Sequence, residues 1–542
     1  MARLRRIEAP LIVVGSALLL WLWSGGAIAN YDTLYALLWG SELAHGNAPD
    51  YSAVLAPTPH PLATLLGVLL SPLGADGAEQ LAIAICFLAF GCAVYFVFAI
   101  GRTTFGVAVG VLAAAVVATR QPVVLNTLTA YIDMPYLALV LAALALELRR
   151  ARCGWPVLLL LAPAGLLRPE AWLFSAAYLL WLFYGTGLAT RKRIGLAALA
   201  ASAPLLWLLF DWTITGQPFF SFTHTRNGAE TLQRVTGLEN VPYYVPRRLG
   251  EILREPVIAG ALAGGILSLA LLRDRALKLA ICGLVSVVAF SVLAAVGLPI
   301  NTRYLLLPGA ILAVFFAVSI LGWRLLEKTE RWRTPWIVLA AVVAVASVVF
   351  IPNQVSRLDS LRSSVRTQRV IRDDLVMLID RTDLPASCGP LIVPNQRPIP
   401  LLALALDRRP STIQSAQQNS RPQRGIYLDP ANADVERNFI LDPRDKRDLS
   451  AEVPPGWMSL IDDIDDQHSD SRTDDGEIQQ LSVDEQCQQQ IYFPLSANKE
   501  QRRIVDAIDR QRGVFDPRAG AQRHRRGRLV HAGGLARGGQ DG

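Results

Sequence analysis

From the N-terminus to about residue 352 the chain alternates between runs of Leu, Ala, Val and Ile and short polar links, and beyond that point the alternation stops. Runs of roughly 18 or more apolar residues have the length a helix needs to cross a bilayer. The pattern predicts a first helix over 10–29 and further spans over 79–101, 104–119, 134–148, 154–167, 170–187, 194–212, 256–272, 277–297, 304–322 and 334–351. That makes about eleven transmembrane helices. Two polar links are long, 30–78 and 213–255. In the first, Leu34, Leu37 and Leu38 with Tyr35 and Trp39 predict an interfacial helix lying on the membrane.

After residue 352 the helical period continues over 354–383, but with an apolar stripe of Leu358, Leu361, Val365, Ile371, Leu375 and Leu378 on a charged helix. Leu391-Ile392-Val393 reads as a buried strand and 400–406 as a second apolar segment, the start of a small α/β domain. From 459 the chain is acidic and then basic and Gly-rich, a composition that favours disorder. The acidic run lacks the glycine and the carboxylate spacing of an EF-hand loop. The fold class expected is therefore a mainly α-helical polytopic membrane protein over 1–352, a smaller extracytoplasmic α/β domain over 353–458 and a disordered tail over 459–542.

Composition agrees, at 52% hydrophobic and 18% charged residues. A net charge of +7 on a soluble chain would point to nucleic acid; here the basic residues sit in loops between apolar runs, so no nucleic-acid partner is expected. Arg102, Arg149-Arg150-Arg152, Arg191-Lys192-Arg193, Arg273-Arg275-Lys278 and Arg324-Lys328-Arg331-Arg333 all fall on the side of the basic N-terminus. The positive-inside rule then places the N-terminus in the cytoplasm and the links 30–78, 120–133, 168–170, 213–255 and 298–303 outside, in a multi-pass cell-membrane protein. Ala27-Ile28-Ala29 resembles a signal-peptidase site, but the preceding run is long and holds Trp21 and Trp23, so the first helix is expected to stay uncleaved. Cys86, Cys92, Cys153 and Cys282 read as buried thiols, while Cys388 and Cys487 fall where a pairing outside the cell is open to them.

This topology brings scattered polar residues to one side. Asp32 follows the first helix, Asp133 opens the span at 134–148, Arg168 lies in a turn and Arg303 precedes the span at 304–322. Charges at the membrane border are functional when they gather around a polar cleft. Each also has a plainer reading. Asp32 and Asp133 fit helix N-caps, Arg168 fits a surface bridge to Glu170, and Arg303 fits a lipid headgroup. His60, between Pro59 and Pro61, fits a structural histidine, and Asp211 is the weakest candidate.

The order of these elements resembles the GT-C superfamily of membrane glycosyltransferases, which includes aminoarabinose, arabinosyl and protein O-mannosyl transferases. YDTLYALLWGSELAHG at 31–46, PHPL at 59–62, RTTFGVAVGVLAAAVVAT at 102–119, TAYIDMPYLALVLAALALELRR at 129–150, GLLRPEAW at 165–172 and NTRYLLLP at 301–308 carry the resemblance over about residues 1–350. It departs at Thr33, where many relatives have a second acid, so no metal cofactor is expected at this loop. The resemblance implies transfer of a sugar from a polyprenyl-phosphate donor to an extracytoplasmic glycan, lipid or protein acceptor. It implies Asp32 as general base with Asp133 assisting, and Arg303, Arg168 and His60 around the donor phosphate. The rival readings are a lipid-linked sugar transporter or flippase and a non-catalytic membrane scaffold.

Overall fold

The computed structural model describes residues 2–381, 390–415, 425–430, 458–459 and 488–493. Helices follow the apolar runs and break where glycine, proline or polar clusters interrupt them. In order they are α1 (Ala2–Ser24), α2 (Tyr31–Ala44), α3 (Pro61–Leu70), α4 (Gly74–Phe105), α5 (Val107–Ala118), α6 (Gln121–Leu128), α7 (Asp133–Arg149), α8 (Trp155–Leu167) and α9 (Glu170–Phe183). There follow α10 (Thr190–Thr215), α11 (Phe220–Thr231), α12 (Val241–Leu253), α13 (Glu255–Leu271), α14 (Arg273–Ala295), α15 (Leu306–Leu321), α16 (Arg333–Val349) and α17 (Ile351–Arg381).

A helix lies on each of the eleven apolar stretches. Among the described residues, however, only five helical stretches are long and apolar enough to cross a membrane, or up to eight if each bent pair is one span. The shortfall has a physical cause. α7, α8 and α9, at 17, 13 and 14 residues, are shorter than a full hydrocarbon thickness requires. The surface of the bundle is nonetheless apolar, with Leu19 70%, Ile266 69% and Val349 69% exposed. Contiguous apolar surface of this kind is foreign to a soluble monomer and marks the lipid-facing side of a multi-pass membrane protein. Exposed Trp155, Trp181, Tyr184 and Trp212 stand near helix ends, where amphipathic rings meet headgroups.

Inside, small residues let helices approach closely. A Cβ on Gly264 of α13 would strike the Phe315 carbonyl of α15, and one on Gly91 of α4 would strike the Val13 carbonyl of α1. Close backbone approach of this kind is how membrane helices gain packing where there is no hydrophobic drive between them. The same device corrects one expectation. α2 is not laid open on the membrane surface, because Tyr35 is 0% and Trp39 1% exposed. Gly40 and Gly67 bring the backbones of α2 and α3 together with no room for a side chain, and so α2 is an internal helix.

The described residues form two compact units. The first runs through Arg369 and takes in Gln396–Ile413, which holds the short helix α18 (Ile399–Ala405) against α2. The second begins at Val370, within α17, and carries most of a sheet of β1 (Leu391–Val393), β2 (Ile413–Ser415), β3 (Gly425–Pro430), β4 (Met458–Ser459) and β5 (Gln488–Phe493) in the order β2-β1-β3-β5-β4. The pairs β1–β3, β3–β5 and β4–β5 are parallel, with Leu391 opposite Ile426 and Gly425 opposite Gln488. The expected strand 391–393 is β1, fully buried, and α17 buries Leu361, Val365, Ile371 and Leu375 as its stripe predicts. Cys388, Cys487, the acidic run over 460–487 and the basic end lie outside the described residues.

Candidate active site

One end of the first unit gathers the charged residues. The chain leaving α1 is laced to the end of α6. Ile28 N donates to the Leu128 carbonyl at 2.9 Å and Asn30 N to that of Thr129 at 3.0 Å. The side chain of Asn30 does the rest. Its Oδ1 accepts from Asp32 N (2.8 Å) and Thr33 N (3.2 Å), while its Nδ2 donates to the Thr129 carbonyl at 2.7 Å. Thr33 Oγ1 donates to the carbonyl of Ala130 at 2.6 Å. Ala130 itself has φ +49°, a left-handed turn that costs an alanine about 1–2 kcal/mol and is held by these bonds.

The N-cap of α2 is therefore Asn30, and Asp32 lies in the first turn with its carboxylate free for another partner. That partner is Arg303, whose Nη1 donates to Asp32 Oδ2 at 3.0 Å. Asp133 is likewise no cap. It stands in the first turn of α7, and its Oδ1 accepts from Arg168 Nη1 at 2.5 Å. Glu170, in the first turn of α9, accepts from Arg168 Nη2 at 2.6 Å and from Nε at 3.2 Å. The bridge between Arg168 and Glu170 expected on the surface thus forms, but in the interior, with side chains 7% and 3% exposed. Arg303 Nε lies 3.8 Å from the second Asp133 oxygen, joining both arginines to one carboxylate.

Aromatic faces complete the enclosure. The Arg168 guanidinium lies 3.7 Å from the centre of the Tyr304 ring, and that of Arg303 lies 4.7 Å from Tyr131. Stacking of this kind suits a planar, weakly hydrated cation in a dry place. Three carboxylates face two guanidiniums, an excess of one negative charge. Each carboxylate lies in the first turn of a helix, where aligned peptide dipoles favour an anion. Burial works against the charge on Arg168, but Asp133 and Glu170 outweigh it and hold the guanidinium above its ordinary pKa.

His60 stands just before α3, with its ring 5.6 Å from that of Trp207 and its Nδ1 buried without a hydrogen bond. Burial first, and then Arg168, pushes its pKa down from 6.5 to about 4, against the pull of Asp32 and Asp133. The imidazole is neutral at ordinary pH. Folding favours that neutral form, so the contribution to stability is full above pH 6.5 and is lost as pH falls towards 4. The melting temperature of the purified protein should fall across that window, and His60→Gln should remove that part of the fall. A profile unchanged by the substitution would show that His60 is not the titrating group.

The two long links meet beside this cluster. His224 Nε2 is 2.7 Å from the Ala56 carbonyl, and Thr58 and Thr225 share a hydrogen bond of 2.6 Å. Asp211 accepts from Ser221 N and Oγ at 2.9 and 2.7 Å, which ties α10 to α11 and gives this acid a structural duty. Glu251 of α12 accepts from Thr302 Oγ1 at 2.9 Å and fixes the residue next to Arg303.

All five candidates, Asp32, Asp133, Arg168, Arg303 and His60, come together. Glu170, Asn30, Tyr131, Tyr304 and Glu251 were not foreseen as parts of the site. Tyr131 and Tyr304 lie within TAYIDMPY and NTRYLLLP, two of the segments that carry the resemblance, one or two residues from Asp133 and Arg303. Among the described residues no group of three or more His, Cys, Asp or Glu is arranged to hold a metal ion. No family model matches the chain, and no curated protein does. Among solved structures it is similar to the crystal structure of ArnT from Cupriavidus metallidurans bound to undecaprenyl phosphate. The two share 16% identity at a TM-score of 0.47, over 78% of this chain and 86% of that one.

Proposed function

We propose that this protein is a membrane glycosyltransferase of the GT-C type, moving a sugar from a polyprenyl-phosphate donor to an acceptor hydroxyl on the side of the membrane opposite the N-terminus. The observation that carries the reading is the contact between Asp32 and Arg303, a part-exposed acid and a part-exposed guanidinium 3.0 Å apart at the end of an apolar bundle. A lipid-linked donor keeps its prenyl tail in the bilayer and its sugar in water, and so needs its chemistry at this border.

Asp32 takes the proton of the acceptor hydroxyl as that oxygen bonds to the anomeric carbon. The bond from that carbon to the phosphate oxygen breaks, and its electron pair leaves with the prenyl phosphate. A single displacement of this kind inverts the anomeric centre. Arg303 meets the phosphate, whose oxygens match the planar fork of a guanidinium. Arg168, carrying Asp133 and Glu170, supports this arrangement from behind, and its contact with donor is through the charge it adds to the pocket. Asp133 holds the two arginines in register, and neutral His60 offers a hydrogen bond to a phosphate oxygen. The buried charges Glu79, Arg120, Asp133, Arg168, Glu170 and Asp211 lie at or near helix ends, which favours an enzyme at the border over a path through the bilayer.

The reading is tested with purified protein, a labelled polyprenyl-phosphate sugar and membrane extract as acceptor. Arg303→Ala should raise the donor KM about 10–100-fold, the worth of one charge-assisted hydrogen bond, with the acceptor KM little changed. An unaltered donor KM would remove Arg303 from the phosphate. A strain lacking the protein should miss one sugar on a lipid, cell-wall polymer or protein, and a strain missing none would count against transfer.

A further inference from the structure

We propose that the ion pair of Asp32 and Arg303 is a latch on the base: the donor phosphate draws Arg303 away from Asp32, so that the carboxylate is free to accept a proton only once donor is bound. This rests on the transferase reading and adds an order of events to it.

The two arginines are not equivalent. Arg168 gives Nε and Nη2 to Glu170 and Nη1 to Asp133, has its guanidinium carbon over the Tyr304 ring and is 6% exposed as a residue. Arg303 gives one hydrogen bond, to Asp32, and its side chain is 22% exposed. An arriving anion therefore meets Arg303. Asp32 Oδ2 is occupied by this hydrogen bond, so an acceptor hydroxyl cannot approach that lone pair until Arg303 moves. The pair as it stands is thus unsuited to the role given to Asp32.

A place for the released arginine already exists. Asp133 Oδ2 is buried and has no hydrogen-bond partner, and it is the oxygen 3.8 Å from Arg303 Nε. A short swing of the guanidinium towards Asp133 and the phosphate satisfies that oxygen while it leaves Asp32. Tyr131 and Tyr304, 4.7 and 5.6 Å from the guanidinium carbon, keep an aromatic face beside it through the movement. Asp133 is then a positioning residue, the fixed partner against which Arg303 pivots. After transfer Asp32 carries the acceptor's proton and is neutral. Loss of that proton to water and departure of the prenyl phosphate restore the pair.

The latch is tested on the full-length protein in detergent by carbodiimide coupling of Asp32 to an isotopically labelled amine, read by peptide mass spectrometry and normalised to exposed carboxylates of the same chain. Farnesyl phosphate, which carries no sugar to cover Asp32, should speed the labelling several-fold, and farnesol should leave it unchanged. Arg303→Gln should label at the faster rate with or without farnesyl phosphate. Labelling of the parent protein that farnesyl phosphate does not speed, or that it slows, overturns the latch, and this arm stands even if the variant does not fold. Transfer assayed on the same preparation separates the two readings. Active protein with unmoved labelling loses the latch and keeps the transferase, and accelerated labelling in protein inactive on every lipid-linked sugar loses the transferase.

Discussion

Asp32→Asn is expected to reduce sugar transfer by about 10²–10⁴-fold, the contribution of a correctly placed general base, while the protein still folds and elutes as the parent does. The substitution keeps the shape of the side chain and removes its basicity. It also spares the local fold, because the cap of α2 belongs to Asn30 and the ties to the 128–130 turn belong to Asn30 and Thr33. Asp32 is 21% exposed at its side chain, and its loss leaves Arg303 the neighbouring Asp133, so little stability is at stake. Initial rates at saturating donor give the answer. Transfer within a factor of a few of the parent would eliminate Asp32 as the base.

The sequence made the charges legible but not their partners. Asp32, Asp133, Arg168 and Arg303 could be placed at one end of the bundle because the alternation of apolar runs and the positions of lysine and arginine fix which links share a side. Their pairing could not be read, since it depends on how helices distant in sequence are turned about their axes. Capping shows the limit most clearly. Asp32 and Asn30 are two residues apart, both are good capping types, and only the backbone of residues 28–33, hydrogen-bonded to the end of α6, decides between them. The same holds for α2, which reads as an interfacial helix from its leucines and aromatics. Its burial is set by two glycines, Gly40 and Gly67, that look unremarkable until the helices are crossed. Arg168 and Glu170 could be paired from their spacing alone, whereas the burial of that pair follows from α7, which delivers Asp133 to the other edge of the guanidinium.

That burial makes Arg168 the residue whose loss should cost most stability. Arg168→Met keeps the apolar stem of the side chain but leaves Asp133 and Glu170, 2% and 3% exposed, without the cation between them. Removing one partner of a buried ion pair typically costs about 3–5 kcal/mol, because the remaining charge stays desolvated. Here two acids are left, and Arg303, 3.8 Å from Asp133, relieves only one of them. The variant should therefore show a much lower melting temperature and poor yield from membranes. If the uncompensated charge is the cause, adding Glu170→Gln to Arg168→Met should recover part of the loss, since the buried acid that Arg303 does not reach is then gone and Asp133 still has Arg303 nearby. Glu170→Gln alone should destabilise, leaving Arg168 with a single acid, so the two effects combine with opposite sign to simple addition. Equal stability of Arg168→Met and the parent, or strictly additive losses in the double variant, would show that the cluster is not held by charge and that Arg168 serves only as packing against Tyr304.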